Sequence, residues 1–241
     1  MDFKRLDQEI RERMNKFDLN GAIDIIDEHV KAKERPELLL NRKIEILMDF
    51  GRYDVAKAVI DRSNSDFLKI NVLRLLQEQD SFKEQEDFIY SEIGKRFMLD
   101  SNLWALKYHQ GEFQEALDIL ENADLEFHPS QEFIINAIKA RCLVEIGKEK
   151  EGLALLEELN TKDQNDSKMS KFYLIKAQIF HKLGKHEKEL KSIKQLLDLN
   201  DIPSYFTLSK IYTLAREIHG SKLAEKVLNI IKQMDPDYLP N

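Results

Sequence analysis

One twelve-residue pattern constrains this chain more than any other feature. Residues 49–60 read DFGRYDVAKAVI and residues 109–120 read HQGEFQEALDIL. Both place a glycine, one spacer, an aromatic, two spacers, an alanine, and an aliphatic residue four further on. Related stretches occur at 145–156 (EIGKEKEGLALL) and 182–193 (KLGKHEKELKSI), so Gly51, Gly111, Gly147 and Gly184 are separated by 60, 36 and 37 residues. The long gap holds two units. Within it, 78–89 (EQDSFKEQEDFI) supplies Phe82 and Ile89 and puts Asp80 where the glycine stands. At the ends, 15–26 and 217–228 keep only the small and aliphatic places, Ala22/Ile26 and Ala224/Leu228.

A period in the mid-thirties is a signature of stacked helical hairpins. In 39–48 (LLNRKIEILM) the residues Leu40, Ile44, Leu47 and Met48 recur at helical spacing, and Val55, Ala56, Val59 and Ile60 do so after the glycine. A glycine between the two runs can take the left-handed conformation that ends the first helix, where a Cβ costs about 1–2 kcal/mol. The following aromatic opens the second helix. The alanine one turn on lets the two helices approach, and the aliphatic at i+4 seals the same face. Pro36, Pro129 and Pro203 each precede a unit's first helix and Pro236 follows the last, so proline interrupts no periodic stretch.

Composition agrees. Glycine (8) and proline (5) are too scarce for a turn-rich β-architecture, and 42% hydrophobic residues suffice for a packed core. The reading is an all-α, right-handed superhelical solenoid of about seven antiparallel hairpins forming one domain over 1–241. Approximate units are 1–36, 37–65, 66–96, 97–132, 133–169, 170–204 and 205–241. The apolar stretch 67–76 (FLKINVLRLL) is expected to be buried on several sides at its centre.

The repeat resembles that of the tetratricopeptide family, carried by Gly51/Tyr53/Ala56, Gly111/Phe113/Ala116 and the terminal Ala224/Leu228/Pro236. Two units depart from it, with Glu149 and Gly152 in one and His186 and Glu189 in the other at the aromatic and alanine places. The family's early tryptophan is absent, since Trp104 lies one turn too late. The resemblance implies a non-enzymatic platform whose first helices line a concave groove for protein or peptide ligands. The places that match the family's clamp for chaperone tails hold Asp7, Arg11 and Arg42, so that clamp is not expected.

Mapped by the glycine place, the inner face offers Leu38, Asn41, Glu45 and Asp49 in the second unit and Ile134, Ala137, Arg141 and Glu145 in the fifth. The sixth offers Lys171, Leu174, Gln178, His181 and Lys182, and the seventh Phe206, Ser209, Thr213 and Arg216. The candidate ligand groove is therefore Arg141, Lys171, Leu174, Gln178, His181, Lys182, Phe206 and Arg216. Five of these residues are basic within a chain of net charge −7, which leads to an acidic or carboxylate-bearing ligand.

No phosphate-cradling glycine loop, nucleophile elbow or zinc-binding His-Glu-x-x-His helix occurs, so no catalytic residue, cofactor or metal is expected. His181 and His186 read as ordinary exposed side chains, Cys142 as a small core residue, and Trp104 as a core residue or part of a binding surface. The acidic balance argues against nucleic acid. The single cysteine fits a reducing compartment. The charged N-terminal stretch lacks an apolar signal core, and no run reaches membrane-spanning length, so a cytoplasmic location is expected. Besides the peptide-binding adaptor, two readings stay open. One is an assembly protein that dimerises through the last helix, whose stripe Leu223, Val227, Ile230, Ile231 and Met234 is wide for one neighbour unless Tyr238 and Leu239 cover it. The other is an enzyme on a repeat scaffold.

Overall fold

The computed structural model describes residues 3–32, 36–97, 99–122, 129–162, 164–218 and 220–236. Among them the secondary structure is entirely helical. Helices adjacent in sequence pack as pairs: α1 (Phe3–Met14) with α2 (Leu19–Lys31), α3 (Pro36–Asp49) with α4 (Tyr53–Asp61), and α6 (Asn71–Glu78) with α7 (Phe82–Ile89). The series continues with α9 (Leu103–Gln110) and α10 (Phe113–Asn122), α11 (Pro129–Glu145) and α12 (Glu149–Glu158), α13 (Asp166–Lys182) and α14 (His186–Leu197), and α15 (Tyr205–Ile218) and α16 (Ser221–Met234). Two short helices, α5 (Asp66–Lys69) and α8 (Glu92–Arg96), and a 3-10 turn (Leu99–Asn102) link the third pair to its neighbours. First helices run from 8 to 17 residues, a wider spread than the even repeat suggests.

Six of the pairs turn in the same way. Gly51, Gly111, Gly147 and Gly184 have φ of 71°, 81°, 87° and 63°, and Phe17 and Asp80 take the same left-handed conformation at 58° and 54°. At each turn the left-handed residue donates its N–H three residues back and the next residue donates five back, as in Gly51→Met48 (2.9 Å) and Arg52→Leu47 (2.7 Å). This closes off the last carbonyls of the first helix. The small place five residues past the turn is buried throughout: Ala22, Ala56 and Ala116 are fully buried, as are Gln85, Gly152 and Glu189 in the variant units. At Gly152 a Cβ would come within 2.6 Å of the Ala140 carbonyl oxygen, so this departure from alanine is a closer helix approach. The last pair differs. Gly220 (φ 76°) itself precedes α16, and the buried aliphatics are Val227 and Ile231 rather than Leu228.

The stretch 67–76 also differs from expectation. It divides at Ile70, where the Asn71 side chain donates to the Leu68 carbonyl (3.0 Å) and to Asn41 (2.8 Å), and Phe67 stays 42% exposed. A side-chain bond to the helix backbone offers the chain an alternative to the regular ladder.

The two ends of the array meet. Leu6, Ile10, Ala22, Ile26, Leu39, Ile46 and Phe50 share one hydrophobic cluster with Leu174, Ala177, Leu196, Leu208, Ile211, Val227, Ile231 and Met234. Polar contacts seal the seam: Arg11 to Asp201 (2.8 Å), the Ile202 N–H to Asn15 (3.2 Å), and Arg52 to the Met234 carbonyl (3.0 Å). The rings of Tyr53 and Tyr205 meet edge to face, and a Cβ at Gly51 would lie 2.8 Å from the Tyr205 ring. Full burial of each Leu, Ile or Val contributes about 1.5–3 kcal/mol, so this closure outweighs its ion pairs. It also covers Val227, Ile231 and Met234 of the apolar stripe on α16, while Leu223 and Ile230 stay partly buried. Tyr238 and Leu239 lie outside the described residues. No helix among the described residues is long and apolar enough to cross a membrane.

Candidate binding cavity

The paired helices surround a cavity of about 890 Å³. Its wall is built mainly from first helices, with α1, α3, α6, α9, α11, α13 and α15 all contributing. That volume lies within the range of small-ligand sites, roughly 300–1,000 Å³.

Of the eight groove residues expected from sequence, Arg141, Lys171, Leu174, Gln178 and Phe206 line this cavity; His181, Lys182 and Arg216 do not. Arg141 is committed to the wall itself. Its Nη1 donates to the Tyr108 hydroxyl (2.7 Å) and to Gln178 Oε1 (2.6 Å), and its guanidinium lies over the Tyr108 and Phe113 rings at 5.0 and 5.3 Å. Lys182 pairs with Glu145 at 3.2 Å, and Arg141 Nε stands 3.5 Å from the same carboxylate. Glu145 of α11 thus answers two of the five basic residues expected to face the ligand.

His186 is exposed as expected and His181 is half-buried, and both are held by a buried carboxylate. Their Nδ1 atoms stand 3.3 and 3.2 Å from the two oxygens of Glu189, which is fully buried, and His181 Nε2 lies 3.5 Å from Glu217. A carboxylate replaces alanine here because the turn brings two imidazoles to it. Among the described residues no cluster of His, Cys, Asp and Glu is arranged to hold a metal ion.

The opposite wall carries residues that sequence periodicity did not single out. Arg74 on α6 donates to Asp49 on α3 and to Glu78, both at 2.6 Å. Burial holds the Glu78 carboxyl above its ordinary value, against the pull of Arg74. Arg42 reaches Asp7 (3.2 Å) and Glu45 (3.2 Å), so Asp7, Arg11 and Arg42 form an internal network. Trp104 packs against the core, as expected, and also lines the cavity. His109, hydrogen-bonded to Gln77 (2.7 Å), is pushed down to about 4 by burial and by Arg141 and Lys210, and is therefore neutral near pH 7. Cys142 is fully buried, which raises its thiol to about 12 and makes it a core residue.

Three buried side-chain atoms on this wall have neither a hydrogen-bond nor an ion-pair partner among the described residues: the donor Arg42 Nε and the acceptors Glu78 Oε2 and Gln110 Oε1. Only Gln85 Oε1 shares that condition among the other described residues. Buried polar groups left unpaired cost about 1–3 kcal/mol each, and both kinds are concentrated at this cavity. The signal that could have found it was the ends' complementary apolar stripes, which periodicity alone does not pair. Comparison with protein-family models and with curated proteins gives no match.

Proposed function

We propose that the chain is a non-enzymatic binding scaffold, a right-handed solenoid of tetratricopeptide type, that takes a short protein segment into its concave cavity. One observation carries the reading. The cavity presents an unpaired donor, Arg42 Nε, together with the unpaired acceptors Glu78 Oε2 and Gln110 Oε1, on first helices of separate hairpins. A peptide backbone supplies both complements. A segment fits the space better than a folded domain, because the paired helices surround it. Leu174 and Phe206 add apolar contact, and Lys171 adds charge. A cytoplasmic setting follows from the lone cysteine.

The chain has a single tryptophan, Trp104, on the cavity wall, so its fluorescence should report occupancy. A photoreactive phenylalanine at position 206, exposed to a random peptide library, should form adducts. The same group at Tyr90, which is 51% exposed and does not line the cavity, should form few. Equal labelling at both positions, or none at 206, would sink the proposal.

A further inference from the structure

Among the described residues Lys171 is the cavity-wall cation that no carboxylate meets. Arg11 is paired with Asp7 and Asp201, Arg42 with Asp7 and Glu45, Arg74 with Asp49 and Glu78, and Arg141 with Glu145, while Lys210 lies over the Phe206 ring and reaches Asp80 only weakly, at 3.7 Å. Among the described residues Lys171 has no carboxylate within ion-pair distance and no hydrogen-bond acceptor. Its side chain remains open to solvent through the cavity while the walls crowd it. Burial and the neighbouring charge of Arg74 hold its ammonium below the ordinary value of 10.5, and Asp49, Glu78 and Glu45 pull the other way without touching it. The side chain is exposed, so water solvates the ammonium when the cavity holds no ligand, and a ligand carboxylate would take the place of that water.

We propose that Lys171 receives a carboxylate of the ligand, on a molecule that also carries amide N–H groups; this rests on the cavity being the binding site. The carboxylate follows from the lone cation. The amides follow from Glu78 Oε2 and Gln110 Oε1, buried acceptors that call for donors. Phosphate fits less well on both counts. Its charge of about −1.5 to −2 near pH 7 would face Asp49 and Glu78 across the same space, and it brings acceptors where acceptors already go unmet. The site joins α13 to α3 and α6, helices far apart in sequence. It goes beyond the diffuse basic field of the sequence reading, since the other cations of that field are matched or lie outside the cavity.

The smallest probe with both features is N-acetylglycinate. Lysine side-chain NMR should show the Lys171 resonance moving saturably with this ion, at a dissociation constant on the order of millimolar. N-acetylglycinamide should leave it unmoved, and inorganic phosphate at matched ionic strength should act more weakly. Lys171→Gln should weaken the response at least about 10-fold, as loss of a charge-assisted contact does, and Lys171→Arg should restore part of it. Ligand-free Lys171→Gln should melt no lower than the parent protein, and the probe should raise the midpoint of the parent alone. The inference fails if the amide or phosphate matches the carboxylate. It fails equally if no saturation appears, or if Lys171→Gln melts lower as a structural lysine would. Library peptides that label position 206 equally well in the Lys171→Gln protein would discard this anchor and keep the scaffold. An N-acetylglycinate response in a protein that labels no peptide at 206 would do the reverse.

Discussion

In the α9–α10 hairpin the place five residues past the turn holds Ala116; in α13–α14 it holds Glu189, and both are fully buried. The turns are alike, with Gly111 and Gly184 both left-handed. The histidines reverse the contrast. His109 ends the first hairpin's leading helix among cations, Arg141 and Lys210, and is held neutral. His181 and His186 close around the Glu189 carboxylate. One backbone plan therefore tolerates opposite side chains at its tightest packing place, provided the neighbours across the turn change with them. The repeat is a rule about geometry, and chemistry is free to vary within it.

The comparison breaks most sharply if Glu189's solution is copied without its partners. Ala116→Glu puts a carboxylate into the contact between α9 and α10 with no imidazole to meet it. It should destabilise by about 3–5 kcal/mol in urea denaturation, the range for an uncompensated buried charge. Retention of near-parental stability would show that the site relaxes to admit water.

The histidine contrast gives a pH test. His109 titrates near 4 in the folded protein against an ordinary 6.5, so between those values the unfolded chain binds more protons. Stability from keeping it neutral is complete above about pH 6.5 and is lost as pH falls toward 4. The difference is on the order of 3 kcal/mol. His109→Gln should flatten the slope of unfolding free energy across that window. An unchanged slope would assign the acid sensitivity to other groups.

Smaller effects sharpen the turn itself. A Cβ at Gly111 would meet nothing closer than 4.0 Å, so Gly111→Val isolates the cost of the left-handed backbone. A loss of about 1–2 kcal/mol is expected. The reverse change, Asp80→Gly, should gain under about 1 kcal/mol, because Asp80 already bears that strain and its 3.7 Å contact to Lys210 is a weak surface pair. If both changes leave the denaturation midpoint unmoved, the turns are not where the hairpins store strain.

Local order was legible from residues alone. The left-handed turns at Gly51, Gly111, Gly147 and Gly184, the non-glycine stand-in at Asp80, the buried alanines and the helical pairing all depend on contacts within about twenty residues, which one stretch of sequence contains. Inner-face mapping by the glycine place also reached Arg141, Lys171, Leu174, Gln178 and Phe206 on the cavity wall, because helical periodicity carries direction along a helix. It missed the cavity at His181, Lys182 and Arg216, and also at Leu38, Asn41, Ala137, Glu145, Ser209 and Thr213, so the face that lines the cavity is narrower than the one periodicity marks.

Tertiary structure alone decided which charges remain available. Glu145 answers Lys182 and Arg141, Asp201 answers Arg11 across 190 residues, and Arg74 draws Asp49 and Glu78 together. It also decided that the first and last hairpins bury one another's apolar faces. Sequence by itself determined the repeating hairpin, since turn conformation and helix approach are short-range steric matters. The closure, and a Lys171 left without a carboxylate among the described residues, arise from pairings between distant segments, which depend on how all the hairpins stack and are written in no single repeat.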